Sequence, residues 1–271
     1  MYSKLKTLWL HPAPVRLLVG MLVQRLKLFS YRTRVEFFME HRPHYAYATL
    51  RAAELAKKLG IPRISILEFG VAGGNGLLNL EYHAREVEKL TAVAIDIYGF
   101  DTGEGLPPPK DFRDLPYHWK PGFFRMDKEV LLKKLTKAKV IFGDVAQTAE
   151  TFVQTHRPAP IGAIFHDLDF YSSTRDSFAV LGGDPHARLP RIYNYFDDVV
   201  GDEIALYNPY TGELAAIEEY NRTHENQKFA QPQYLKKYVS HSWIHQYYVY
   251  HDFTHPRYND FISDENQQLP L

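Results

Sequence analysis

The sequence predicts an α/β protein built on a mostly parallel sheet, and three observations predict it. Short apolar runs rich in β-branched residues alternate with stretches of helical spacing between residues 45 and 221, the pattern of parallel strands joined by crossover helices. The runs give way to Gly, Asp and Glu rather than to further apolar residues, as strands do when their carboxyl ends open on a ligand crevice. Between the first run and the helix after it stand Gly70, Gly73, Gly74 and Gly76, a place where the chain turns tightly or a ligand approaches the backbone.

Composition limits the function classes. The chain has 271 residues, 45% hydrophobic and 24% charged, with 32 basic and 32 acidic side chains. That is enough for a self-sufficient core. The balanced charge argues against wholesale binding of nucleic acid. The absence of cysteine excludes disulfides, thiolate metal sites and a cysteine nucleophile. It also fits a reducing compartment, so a cytoplasmic protein is expected. Nineteen tyrosines place aromatic rings in clefts or interfaces as well as in the core.

The elements follow in order. The first 34 residues carry Lys4, Lys6, Arg16, Arg25, Lys27, Arg32 and Arg34 and no acid. The apolar stretch 15–28 within them is interrupted by Arg16, Gln24 and Arg25, too short and too charged to span a bilayer. No small-residue cleavage site follows it, against a secretory signal. Such a helix either packs on the domain or on a second subunit of a homo-oligomer, or lies on an anionic membrane surface. Residues 1–42 are therefore expected to be a basic helical extension and 43–271 a single domain. A helix is predicted over 45–59, closed by Gly60 and Pro62. Strands are predicted over 63–69, 91–100, 140–142, 161–165, 191–196 and 243–253, and further helices over 76–89, 126–135 and 214–221.

The glycine segment reads Glu68-Phe-Gly70-Val-Ala72-Gly73-Gly74-Asn75-Gly76. A dinucleotide-binding G-x-G-x-x-G fails, because Asn79 stands where the third glycine belongs. A phosphate-gripping loop fails too, because no Gly-Lys-Ser/Thr follows. After the second strand, Asp96 and Asp101 are both candidates for a ribose diol, since a carboxylate accepts from two hydroxyls. Asp167 and Asp169 follow the fourth strand, and Asp197 and Asp198 the fifth. Adjacent parallel strands bring these acids to one edge, where they repel unless a cation or protons intervene. An oxygen-only set favours a hard divalent ion such as Mg²⁺. His166 is a base candidate near neutral pH, or a satisfied histidine at a strand end. Ser173 and Asp176 read as a capping box opening the next helix.

The E-x-G-x-x-x-G spacing from Glu68 resembles the first motif of class I S-adenosylmethionine-dependent methyltransferases. The string GFDTGEGLP (99–107), the Gly143-Asp144-Val145 turn, Asp167-Leu-Asp169-Phe-Tyr171 and Asp197-Asp198 are similar, in that order, to segments of the macrocin O-methyltransferase-like (TylF-type) family. The resemblance covers roughly residues 64–221. It implies a Rossmann-like seven-stranded sheet, S-adenosylmethionine as cofactor and methylation of sugar hydroxyls of small-molecule acceptors. By position it implies that Glu68, Gly70, Val71, Ala72, Gly74, Asn75, Asp101, Thr102, Gly103, Asp144 and Val145 hold the cofactor. Asp167, Asp197 and Asp198 would hold Mg²⁺, and Asp169 would be the general base, with roles that spacing alone leaves exchangeable. Two departures stand out: Gly103 replaces the usual aromatic, and Phe165 stands where the family tends to have histidine or arginine.

Two other functions fit the same residues: a metal-independent N-methyltransferase, distinguished by indifference to chelator, and a non-catalytic cofactor-binding domain, distinguished by binding without turnover. His241, His245, His251 and His255 lie among Trp243, Tyr247, Tyr248 and Tyr250 without zincin spacing, so aromatic packing or an interface is expected there. The loop 208–212 reads as an insertion able to act as an acceptor-binding lid.

Overall fold

The run RISILEF becomes the central strand. β1 (Arg63–Phe69) is buried along all but its first residue, as a strand must be when both of its faces are apolar. In the computed structural model, which describes residues 14–238 and 241–263, β1 lies between β2 (Ala94–Asp101) and β4 (Ile161–His166), parallel to both. β3 (Lys139–Phe142) lies outside β2, and β5 (Arg188–Phe196) outside β4, again parallel. β6 (Gln227–Ala230) and β7 (Tyr247–Asp252) complete the far edge, β7 running antiparallel to β5 and β6. The order is β3-β2-β1-β4-β5-β7-β6. Chain order reverses between β1 and β4, and such sheets bind ligands beyond the carboxyl ends at that point.

Eight helices among the described residues flank the strands: α1 (Pro14–Leu26), α2 (Tyr31–Glu36), α3 (Pro43–Lys58), α4 (Asn75–Thr91), α5 (Lys128–Lys134), α6 (Val145–His156), α7 (Tyr171–Ser177) and α8 (Gly212–Thr223). On one face Ala46 and Leu50 of α3 and Leu77 and Leu80 of α4 pack with Ile64, Ile66, Ile95 and Ile97. On the other, Phe152 of α6 and Ile217 and Tyr220 of α8 pack with Leu67, Phe69, Ile164 and Phe196. The period of two along β1 thus serves both layers. Tyr31 and Val35 of α2 are buried in the first cluster, and the Tyr31 hydroxyl bonds Nδ1 of His83 at 2.8 Å.

Several expectations change. β5 starts three residues early and includes Pro190, and β6 is a strand the periodicity did not mark. Trp243 sits in a 3₁₀ turn, Ser242–Ile244, with its ring edge-on to Phe38. Ser173 does not open a helix, because α7 begins at Tyr171 with no side-chain cap. Asp176 pairs instead with Arg175 and Lys110. In the histidine-rich stretch, His251 bonds the Tyr258 hydroxyl, and His255 bonds the carbonyls of Pro185 and Arg188. Among the described side chains of α1, Val23 is buried, whereas Leu18, Met21, Leu22 and Leu26 are exposed. Lys4 and Lys6, expected in the basic extension, lie outside the described residues.

Candidate active site

A cavity of about 370 Å³ opens at the carboxyl ends of β1, β2, β4 and β5. Its floor depends on Gly70, at φ +82, where a Cβ would fall 1.7 Å from the carbonyl oxygen of Asp167. The Gly70 N–H donates to the Phe100 carbonyl at 3.0 Å, and the Asp167 N–H to that of Phe69 at 2.9 Å. Only a residue without a side chain lets the three strand ends meet there. Gly74, at φ +79, then precedes α4 and packs against Leu131.

Asp101 holds this loop. Its Oδ2 accepts from the N–H groups of Val71 and Ala72, at 2.8 and 2.9 Å, and its Oδ1 from that of Gly103 at 2.5 Å. Of the expected cofactor residues, Gly70, Ala72, Asp101, Thr102, Asp144 and Val145 line the cavity. Asp144 also caps α6, accepting from the Ala146 N–H at 2.9 Å. Val71, Gly74, Asn75 and Gly103 do not line the cavity; the Val71 and Gly103 N–H groups bond Asp101, which does. Glu68, expected at the cofactor, does not line the cavity. Its Oε1 accepts from the Tyr45 hydroxyl at 2.8 Å, and a Cβ on Gly76 would fall 1.7 Å from that oxygen. Burial pushes the Glu68 carboxyl up to about 8.

The acids after β4 and β5 do come together. His166 pairs with Phe196 in register, so the residues after each strand emerge side by side, and Asp167, Asp169, Asp197 and Asp198 all line the cavity. The Asp197 Oδ1 accepts from the Tyr195 hydroxyl at 2.7 Å. Asp198 accepts from the Tyr207 hydroxyl at 2.6 Å and from the Asp169 N–H at 3.1 Å. Behind them Glu213 of α8, wholly buried, accepts from the Asp198 N–H at 2.9 Å.

Burial, then Asp197 and Asp198, push Asp167 well above the usual carboxylate range. Burial, then Asp198 and Asp197, do the same to Asp169. Burial raises Asp198 to about 6 against the pull of the Tyr207 bond, and burial and Asp198 raise Glu213. No cation figures among the main influences on these four groups.

Among the described residues, no three His, Cys, Asp or Glu side chains converge closely enough to hold a metal ion as they stand. The centre expected at Asp167, Asp197 and Asp198 is therefore not preformed, and two of those carboxylates are bonded to tyrosine hydroxyls instead. The donor chemistry nevertheless fits a hard divalent ion: carboxylate oxygens, crowded and uncompensated.

His166 is corrected outright. It is fully buried, stacked on Phe196 at 4.3 Å and on Phe69 at 5.7 Å. Its ring nitrogens bond Asn194 at 3.3 Å and Ser177 at 3.2 Å. Burial holds its pKa down to about 3. Strand alternation turns residue 166 into the aromatic layer, so it cannot carry protons to the cavity.

Sequence reasoning missed the roof. Leu106, Pro107, Trp119 and Phe124 supply an apolar wall from the segment between β2 and α5. Buried Asp114 tethers that segment, accepting from the Ser172 N–H and hydroxyl at 2.8 and 2.9 Å and from the Lys110 N–H at 2.7 Å. The Tyr117 hydroxyl donates to the Ala205 carbonyl at 2.6 Å, tying it to the loop that precedes α8. Residues 208–212, where a lid was expected, do not line the cavity, whereas parts of 105–124 do; Tyr207 bonds Asp198 from the 208–212 side. Aspartate and tyrosine in loops carry no spacing signal that would have shown this.

No protein-family model and no curated protein matches the sequence. Solved structures do match the fold. The O-methyltransferase NovP aligns over 77% of this chain and 79% of its own, with a TM-score of 0.52 and 14% identity. The chain has the class I methyltransferase fold. CalS11, a calicheamicin methyltransferase, aligns over 78% of this chain and 86% of its own at 21% identity, with a TM-score of 0.47.

Proposed function

We propose that the protein is an S-adenosylmethionine-dependent O-methyltransferase, assisted by a divalent ion such as Mg²⁺, acting on a hydroxyl of a sugar-like or polyhydroxylated small molecule. The observation that carries this reading is that the glycine loop shares one cavity with four clustered carboxylates, Asp167, Asp169, Asp197 and Asp198, of which Asp167 and Asp169 are pushed well above the usual range by burial and by their acidic neighbours. Gly70, Ala72, Asp101 and Thr102 line the end suited to the cofactor's amino acid and ribose, and Phe100 and Val145 offer an apolar place for its base. NovP, whose fold the chain shares, is an O-methyltransferase.

Asp167, Asp197 and Asp198 would hold the ion, which supplies positive charge beside the acceptor, lowers the pKa of its hydroxyl and suits vicinal oxygens. Tyr195 and Tyr207 orient Asp197 and Asp198, and Glu213 fixes the Asp198 backbone by accepting its N–H. Asp169 takes the hydroxyl proton as the acceptor oxygen attacks the methyl carbon in line. The carbon–sulfur bond breaks, leaving a methyl ether and a neutral thioether. Holding the two reactants in line accounts for much of the rate. The apolar roof over Leu106, Trp119 and Phe124 excludes water from the transfer.

Calorimetric titration with S-adenosylmethionine, with and without Mg²⁺, tests the reading, followed by a methyl-transfer screen over glycosides and polyols. Micromolar binding and chelator-sensitive turnover are expected. Failure to bind under any condition removes the proposal. Turnover unaffected by chelator keeps the transferase and removes the ion.

A further inference from the structure

The N-terminal helix presents an apolar side that the domain leaves uncovered. Leu18, Met21, Leu22 and Leu26 recur at the spacing of one helix face, and they are 63, 56, 54 and 57% exposed. Val23, on another side, is 3% exposed. Arg25 shares the exposed side, and Lys27 follows immediately; both are exposed. Leu28 and Phe29 continue the apolar surface beyond the helix at 43 and 65% exposure. No acid occurs before Glu36 in the sequence. Two of the cations are already engaged: Arg32 pairs with Glu36 and Glu54, and buried Arg34 with Glu40. Arg25 and Lys27 remain beside the leucines.

We propose that α1 seats the protein on an anionic lipid bilayer, lying in the headgroup layer with Leu18, Met21, Leu22 and Leu26 toward the acyl chains and Arg25 and Lys27 against the lipid phosphates. At 13 residues the helix is about 20 Å long, so it lies on the membrane and does not cross it. Among the described residues, no helix is long and apolar enough to span one. Charge selects lipid over a second copy of the chain. Two-fold packing of this face on itself would gather Arg25 and Lys27 of both copies along one apolar seam, with no neighbouring acid in the segment to compensate. A bilayer containing anionic headgroups compensates both cations. The inference does not depend on the reaction proposed above.

The test is co-sedimentation of the full chain with vesicles of phosphatidylcholine mixed with phosphatidylglycerol, and with vesicles of phosphatidylcholine alone. Binding to the mixed vesicles is expected, weakened by salt and at least about tenfold weaker to the neutral ones. Leu22→Glu should abolish it, and Arg25→Glu with Lys27→Glu should reduce it to the neutral-vesicle level. Both variants alter exposed side chains, so unchanged circular dichroism melting shows that the fold persists. Failure to bind mixed vesicles, or full binding by Leu22→Glu, overturns the proposal. So does a wild-type dimer in light scattering that Leu22→Glu converts to monomer, since the face would then belong to a second copy.

Discussion

At the β2 end of the cavity Asp101 receives three backbone N–H groups, from Val71, Ala72 and Gly103. At the β4–β5 end, Asp167, Asp169, Asp197 and Asp198 share the hydroxyls of Tyr195 and Tyr207 and the N–H of Asp169. The first acid is a structural tie, most of its acceptor capacity taken up within the protein. The second group is buried and crowded, so Asp167, Asp169 and Asp198 shift toward the protonated form. One end of the cavity is thus rigid and self-sufficient, and the other gains most from whatever brings positive charge.

The largest effect separating the two ends is on turnover. Asp169→Asn is expected to lower methyl transfer by about 10²–10⁴-fold while leaving S-adenosylmethionine affinity unchanged by calorimetry. A parallel loss of affinity would make Asp169 part of the cofactor end.

Next comes the pH dependence of stability. A carboxyl whose folded pKa is raised binds its proton more tightly when folded, so it stabilises at low pH and loses that contribution as pH rises through the folded value. For Asp198, raised to about 6, the difference is worth roughly 3 kcal/mol. Glu68 at about 8 extends the loss to about that pH, and Asp167, Asp169 and Glu213, raised above normal mainly by burial, act in the same direction. Buried His83 and His166, lowered to about 4 and 3, act oppositely and destabilise as pH falls below their ordinary values. Between about pH 6.5 and 8.5 the carboxylates therefore dominate. Calorimetric melting of the cation-free protein should drop by several degrees across that window, and Mg²⁺ should restore more at the alkaline end. A flat or rising profile would mean the acids are already compensated.

Asp101→Ala should cost about 2 kcal/mol by leaving backbone donors without an acceptor, with a melting loss indifferent to Mg²⁺. An Mg²⁺-dependent loss would erase the contrast between the two ends. The smallest expected change is at the roof. Tyr117→Phe removes the bond to Ala205 at about 1 kcal/mol, raising the acceptor KM a few-fold with cofactor binding intact; equal effects on both ligands would show that the roof serves the cofactor too.

Much of this architecture is legible in the chain because its signals are local. RISILEF, IGAIFH and the glycine cluster mark two central strands and the turn at their edge without reference to anything distant. The acids after β4 and β5 were visible as well, since adjacent parallel strands place their ends together. Glu213 and Asp114 were not visible. Each looks like an ordinary acid near a helix or loop, and only the packing of α8 and α7 buries them beneath the cavity and its roof. α1 misled in another way: its amphipathic pattern was readable, but the side by which it meets the domain was not.

The sequence by itself determined the α/β alternation, the sheet's polar carboxyl edge and the clustering of acids there, because periods of two and 3.6 and the residues that end them are written along the chain. Only the tertiary structure decided what each of those acids does. His166 and Asp167 are consecutive, yet one is stacked in an aromatic layer and the other lines the cavity. Asp101 ends β2 and Asp198 follows β5, yet one meets three backbone donors and the other lies among acids of its own kind. Those outcomes depend on strand register, on which face a single residue's step selects, and on donors arriving from segments far away in sequence.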